Sequence, residues 1–134
     1  MKTIFIVDDS DTNLLTAKTT LDGTYRTFAL PSAARMFKLA EKIKPDLILL
    51  DIDMPEMDGF QTIQLLKQNE KLASVPVVFL TAINDAAAEV RGFELGALDF
   101  ITKPFSQPEL LKRIKLYIET DNRKPTGDEQ AVLT

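Results

Sequence analysis

Two hydrophobic rhythms alternate along this chain. Thr3 to Val7, Leu47 to Leu50 and Val77 to Leu80 are short, nearly unbroken apolar runs, the pattern of strands covered on both faces. Tyr25 to Leu30 is half polar and reads as an edge strand, and Leu98 to Thr102 supplies a fifth. Between these runs the spacing changes to three and four. Leu14, Ala17 or Lys18, and Leu21 predict a helix over Thr12 to Leu21, with Asp11 as its N-cap and Asp22-Gly23 as its end. Met36, Phe37, Ala40 and Ile43 predict a second, opened by Pro31-Ser32 and closed by Pro45. Phe60, Ile63 and Leu66 mark a third over Phe60 to Asn69, and Asn84 or Asp85 caps a fourth that runs through Phe93 and stops at Gly96. In the fifth, Ser106 is the cap, Pro108 falls in the tolerant first turn, and Leu110, Leu111, Ile114, Tyr117 and Ile118 form the buried stripe.

Five strands alternating with five helices predict an α/β fold: a doubly wound parallel sheet with helices on both faces. Right-handed crossovers leave few strand orders. The order 2-1-3-4-5, that of flavodoxin-like sheets, suits the pattern because the first, third and fourth strands are the most apolar and belong in the centre. Ligands collect at the carboxyl ends of such strands, and there the chain carries acids. The first strand runs into Asp8-Asp9, and the third into Asp51-Ile52-Asp53-Met54-Pro55-Glu56-Met57-Asp58-Gly59. From Asp121 onward the chain is polar and rich in breakers, so residues 1–120 are expected to form the domain and 121–134 a tail or linker stub.

Composition narrows the chemistry. A chain of 134 residues, 45% hydrophobic and 27% charged, is one ordinary globular domain by size and content. No apolar run approaches the ~18 residues of a membrane span. Without histidine or cysteine, the chain has no Ser-His-Asp or Cys-His nucleophile system, no disulfide, and no thiolate or paired-histidine zinc site. The absence of cysteine fits a reducing compartment, and the cytoplasm is the expected location. A formal charge of −4 argues against direct nucleic-acid contact. Acid-base or metal chemistry must rest mainly on carboxylates, lysine, tyrosine or hydroxyls, and carboxylates favour hard cations such as magnesium.

With the first and third strands adjacent, Asp8, Asp9 and Asp51 converge. Each carboxylate pair at ~4 Å costs about 4 kcal/mol at an effective dielectric near 20, so the cluster must take up protons or bind a cation. A divalent ion such as Mg²⁺ is the better answer at neutral pH, with Mn²⁺ as a substitute. Asp8 and Asp9 could instead cap the first helix, but Ser10 and Asp11 are better placed for that. Thr81 and Lys103 end the fourth and fifth strands and add a hydroxyl and an ammonium to the same edge. A carboxylate nucleophile, a metal and a fixed cation are the parts of a phosphoryl-transfer site.

These residues resemble the receiver domain of bacterial two-component response regulators, over residues 2 to about 120. The matching positions are Asp8-Asp9, Asp51, Met54-Pro55, Asp58-Gly59, Thr81-Ala82 and Lys103-Pro104-Phe105. The resemblance implies that Asp51 accepts a phosphoryl group from a sensor histidine kinase or phosphotransfer protein. It implies Mg²⁺ held by Asp9, Asp51 and the backbone carbonyl of Asp53, with Asp8 acting mostly through water. Lys103 would contact the phosphoryl group, and the Lys103-Pro104 bond would be cis. By the same resemblance Thr81 moves toward the phosphoryl oxygens, Phe100 turns inward, and the face of the fourth helix, fifth strand and fifth helix is reshaped for an output domain or effector protein. Homodimerisation through that face, with Asp99 and Arg113 taking part, is a further expectation. Such a domain promotes only its own phosphorylation and dephosphorylation. Asp53 and Ile83, two places past Asp51 and Thr81, are expected to flank the path of attacking water and set the phosphate lifetime.

Two other readings compete. Asp51-Ile52-Asp53 also resembles the Asp-x-Asp of haloacid-dehalogenase-type phosphohydrolases, with Asp51 as nucleophile and Asp53 as general acid. Pro55 stands where that motif expects threonine or valine, and the motif would lie on the third strand rather than the first. The chain also fits an inactive pseudo-receiver working through protein contacts alone, against which the intact set of Asp8, Asp9, Asp51, Thr81 and Lys103 argues.

Overall fold

The computed structural model describes residues 1–122, with side chains to residue 119. Ten elements alternate in order: β1 Thr3–Val7, α1 Asp11–Leu21, β2 Arg26–Leu30, α2 Ala33–Ala40, β3 Leu47–Leu50, α3 Gly59–Gln68, β4 Val77–Thr81, α4 Ala86–Glu94, β5 Asp99–Thr102 and α5 Gln107–Asn122. The strands form one sheet in the order β2-β1-β3-β4-β5, all parallel. The chain leaves β1 for β2 on one side and then crosses to β3 on the other. This reversal opens a crevice at the carboxyl ends of β1 and β3.

Strand alternation sorts the apolar residues into two layers. Phe5, Val7, Ile48, Leu50, Val77, Phe79 and Phe100 pack with Met36 of α2 and Phe60, Ile63 and Leu66 of α3. Ile4, Ile6, Leu47, Leu49, Val78, Leu80 and Ile101 pack with Leu14, Ala17 and Leu21 of α1 and Leu110, Ile114 and Ile118 of α5. Every residue of β1, β3 and β4 is buried, whereas β2 and β5 are partly open, as edge strands are. α4 is the least embedded helix, with Gly92 as its one buried residue.

Several boundaries differ from the sequence reading. Ser10, not Asp11, caps α1, accepting from the Asn13 N–H at 3.3 Å. α2 ends at Ala40 rather than running toward Pro45. Three-residue bonds from Glu41 N to Lys38 O and from Lys42 N to Leu39 O tighten the chain out of the helix, and Ile43 still packs against the core from that turn. β2 starts one residue late because the Tyr25 N–H is taken by Leu21 O at 3.0 Å. α3 starts one residue early, at Gly59, behind a reciprocal cap of Asp58 and Gln61. Asp85 is the cap of α4. β5 opens at Asp99, although Leu98 N already bonds Val77 O at 2.7 Å. α5 passes the expected domain end at Thr120, and the polar tail beyond Asn122 lies outside the described residues.

Candidate functional site

The sheet register assembles the site. Val7 pairs with Leu50, so the next residues, Asp8 and Asp51, emerge side by side. Leu50 pairs with Phe79 and Thr81 with Thr102, which brings Thr81 and Lys103 to the same edge. Asp8, Asp9, Asp51, Asp53, Thr81 and Lys103 line one cavity of about 340 Å³. Asn13, Ala82 and Ile83 complete its wall. A larger groove of about 500 Å³ lies near Phe37 and Leu72, at the other end of the helices, and has no convergent acid set.

Within the cavity, one carboxylate oxygen from each of Asp8, Asp9 and Asp51 lies within 4.8 Å of the others. Asp8 and Asp51 are buried, while Asp9 and Asp53 are exposed at the mouth. The Lys103 ammonium pairs with Asp8 Oδ2, and the Ser10 N–H donates to Asp8 Oδ1 at 2.9 Å. Lys103 is thus anchored on Asp8 rather than left in solvent, and its charge is fixed beside Asp51. Asp51 Oδ1 accepts from the Ile52 N–H at 2.8 Å, which holds the carboxyl in one rotation. Thr81 is fully buried, and its hydroxyl oxygen accepts from the Ile83 N–H at 3.3 Å.

Burial pushes the Asp51 carboxyl above its ordinary range, and the neighbouring Asp8 charge adds to that. Lys103, the Thr81 hydroxyl and the Ile52 N–H pull it back without cancelling the rise. A buried acid held up mainly by desolvation is relieved by a proton or a cation. The donors are all hard carboxylate oxygens, and that set fits a hard divalent ion better than any soft metal.

The loop after Asp51 is pressed against it. A Cβ on Gly59 would lie 2.4 Å from Asp51 O and 2.7 Å from Ile52 Cα, so only glycine fits there. The Gly59 N–H also donates to Ile52 O at 2.8 Å. Glu56 takes a positive φ of 68°, and the Met57 N–H returns to Pro55 O at 2.7 Å, closing a tight γ-turn. The Lys103-Pro104 peptide is cis. Phe100 is buried, with its ring 5.9 Å from that of Phe79. Asp99 and Arg113 meet within the chain: Arg113 Nη1 donates to Asp99 Oδ2 at 3.3 Å, and the Tyr117 hydroxyl donates to the same oxygen. Asn13 is the wall residue that sequence reasoning missed. Its signal was present, since the Ser10 cap turns the first helical turn back over the strand ends.

Comparison with known proteins shows a family and a shared fold. The family model for the response regulator receiver domain matches residues 4–115. A probable cyclic di-GMP phosphodiesterase of Vibrio cholerae is 38% identical over 91% of this chain, which spans 28% of that protein. The polar-differentiation response regulator DivK of Brucella ovis is 33% identical over 87% of the chain and 96% of its own length. Among solved structures, the signal receiver domain of a histidine kinase from Syntrophus aciditrophicus superposes with a TM-score of 0.83 at 35% identity, covering 94% of this chain and 96% of that one. The chain therefore spans well under half the length of several of the curated relatives it matches, and nearly all of another.

Proposed function

The chain belongs to the response regulator receiver domain family, and from that premise we propose that Asp51 is its phosphoacceptor. Receiver domains are signalling domains, and the reading here is a switch thrown by aspartyl phosphorylation. The observation that carries it is the convergence of three carboxylates, Lys103 and Thr81 in one cavity at the strand ends. In the transfer step an Asp51 carboxylate oxygen attacks the phosphorus of a phosphohistidine on the donor protein. The P–O bond forms as the P–N bond breaks, the electron pair stays on the imidazole nitrogen, and that nitrogen takes a proton from solvent. The Ile52 N–H orients the nucleophile, the Lys103 ammonium offsets charge on the phosphoryl group, and the Thr81 hydroxyl donates to one of its oxygens.

Asp9, Asp51 and the Asp53 carbonyl would hold Mg²⁺ or Mn²⁺ directly, with Asp8 behind a water. Such an ion neutralises acid repulsion and charge on the transferred group. Thr81 and Phe100 form the switch, Thr81 drawn to the phosphoryl oxygens and Phe100 packed inward, the position it holds here. The exposed Val90, Phe93, Leu98 and Leu116 give the α4-β5-α5 face apolar area for an output domain or effector protein. Homodimerisation through that face would require Asp99 and Arg113 to exchange their present partners. The receiver would extend through α5 to Asn122, with the polar segment beyond as a tail or linker. No helix among the described residues is long and apolar enough to cross a membrane, and the reading places the domain in the cytoplasm.

Incubating the protein with a small phosphodonor and Mg²⁺, then measuring intact mass, tests the reading. The expected result is one phosphoryl group per chain in the wild type and none in Asp51→Asn. Steady hydrolysis of phosphate esters without a labelled protein would favour a phosphohydrolase instead, and no labelling would favour a pseudo-receiver.

A further inference from the structure

A second contact path leads from the Asp51 main chain to Phe100 without passing through Thr81. Gly59 seats the start of α3 directly on Asp51 O. The next residue, Phe60, puts its ring 5.7 Å from Phe79 in an edge-on contact, and Phe79 meets Phe100 at 5.9 Å. α4 closes over this row of three rings at two adjacent positions. Arg91 lays its guanidinium 4.4 Å above the Phe60 ring. Gly92 rests on the other two: a Cβ there would stand 3.1 Å from Phe79 and 3.3 Å from Phe100. Gly92 is also the one buried residue of α4, and Ala88 of the same helix packs against the same core.

We propose that Arg91 and Gly92 form a clip that seats α4 on the Phe60–Phe79–Phe100 row and couples the position of α4 to the loop carrying Asp51. The inference rests on the functional reading above, in which an inward Phe100 accompanies phosphorylation. Two chemical features give the clip its selectivity. Glycine lets the helix backbone approach both rings, and a methyl at residue 92 would press first on Phe79 and then on Phe100, so one of the rings or the helix must give by a few tenths of an ångström. Arginine offers a flat, weakly hydrated cation that stacks on an aromatic face while keeping its edge in water. The clip is made with Phe100 inward, so it favours that state. Coupling between sites is reciprocal in binding free energy, so a change that loosens the clip in the inward state alone weakens binding of a phosphoryl analogue at Asp51, by at most the factor lost in the clip. Arg91 and Gly92 are positioning residues, remote from the reacting atoms.

A double-mutant cycle at Arg91 and Phe60 tests this, using Arg91→Met and Phe60→Leu, alone and combined. One readout is amide hydrogen exchange along α4 in the metal-free protein. The other is the affinity for beryllium trifluoride with Mg²⁺, followed by NMR titration. An exposed cation–π contact corresponds to roughly two- to fivefold in an equilibrium. Arg91→Met is expected to speed α4 exchange and weaken beryllium trifluoride binding by about that factor, and to do neither in the Phe60→Leu background. Gly92→Ala is expected to weaken binding as well, with Mg²⁺ affinity unchanged. Equal effects of Arg91→Met in both backgrounds would overturn the clip, and so would faster exchange with unchanged binding. If wild-type protein binds no beryllium trifluoride at all, the functional reading falls and the coupling with it, and the exchange data then report packing alone.

Discussion

Replacing Asp51 with asparagine should stabilise the metal-free protein at neutral pH. Asparagine keeps the shape and still accepts from the Ile52 N–H, and it removes a buried negative charge that sits within 4.8 Å of two others. A pair at that separation repels by about 3.5 kcal/mol at an effective dielectric near 20. Asp9 is exposed and therefore screened, and Lys103 outweighs the Asp8 interaction, so the expected net gain of about 1–3 kcal/mol comes chiefly from no longer burying a charge. For a domain of this size that is a rise in Tm of roughly 4 °C per kcal/mol. The pH dependence has a definite sign. Because the folded pKa of Asp51 is raised above its unfolded value, the protonated acid favours folding, and that contribution is lost as pH rises through the folded pKa. The advantage of the asparagine variant therefore opens as pH rises through the carboxylate range and closes in acid. Magnesium should reverse the ranking at about a thousand times its Kd, where it stabilises the wild type by about 4.1 kcal/mol and the variant by far less. Thermal unfolding of both proteins with chelator and with Mg²⁺, from acid to neutral pH, measures all of this. A variant no more stable than wild type in chelator at neutral pH would refute the buried-charge account of the site.

Further outcomes follow from the same geometry. Gly59→Ala should lose about 1–3 kcal/mol of stability, because the new methyl collides with the Asp51 carbonyl, and should slow labelling from a small phosphodonor; urea unfolding and intact mass report the two effects. Tyr117→Phe should lose about 1 kcal/mol with the bond to Asp99. Burial, with Asp99 beside it, pushes the Tyr117 phenol up to about 12, so the folded chain keeps a proton that the unfolded chain releases near pH 10. Wild-type stability should then fall as pH rises from about 10 to 12, and the phenylalanine variant should lose the Tyr117 share of that fall, leaving Tyr25, whose phenol burial also raises, and Lys67, whose ammonium burial lowers and which acts in the opposite sense. Asp53→Asn and Ile83→Ala should each change the decay rate of the phosphorylated form, measured by mass at intervals after donor removal; unchanged half-lives would remove both residues from the path of water.

The parts of this molecule that the sequence made legible are those fixed by strand chemistry. Leu47 to Leu50 and Val77 to Leu80 admit one environment, a sheet buried on both faces, and the acids that interrupt such runs must then lie at its edge. Asp8, Asp9, Asp51, Thr81 and Lys103 were found for that reason. Contacts between elements remote in sequence left no periodic trace. The Asp99–Arg113–Tyr117 knot spans β5 and α5, and a pair expected at a dimer face bonds within the chain. The stacking of Arg91 on Phe60 depends on how closely Gly92 lets α4 approach, which no local pattern encodes. The end of α2 was misread because Pro45 looked like its stop, while a tightened turn at Glu41 to Ile43 ends the helix first.

Locating the phosphoryl group chemically tests the central claim most directly. Borohydride reduces an aspartyl phosphate to homoserine, so labelled protein can be trapped, digested and sequenced by mass spectrometry. The account predicts homoserine at residue 51 alone, dependent on Mg²⁺. Homoserine at residue 8, 9 or 53, or a stable phosphate on a hydroxyl, would contradict it.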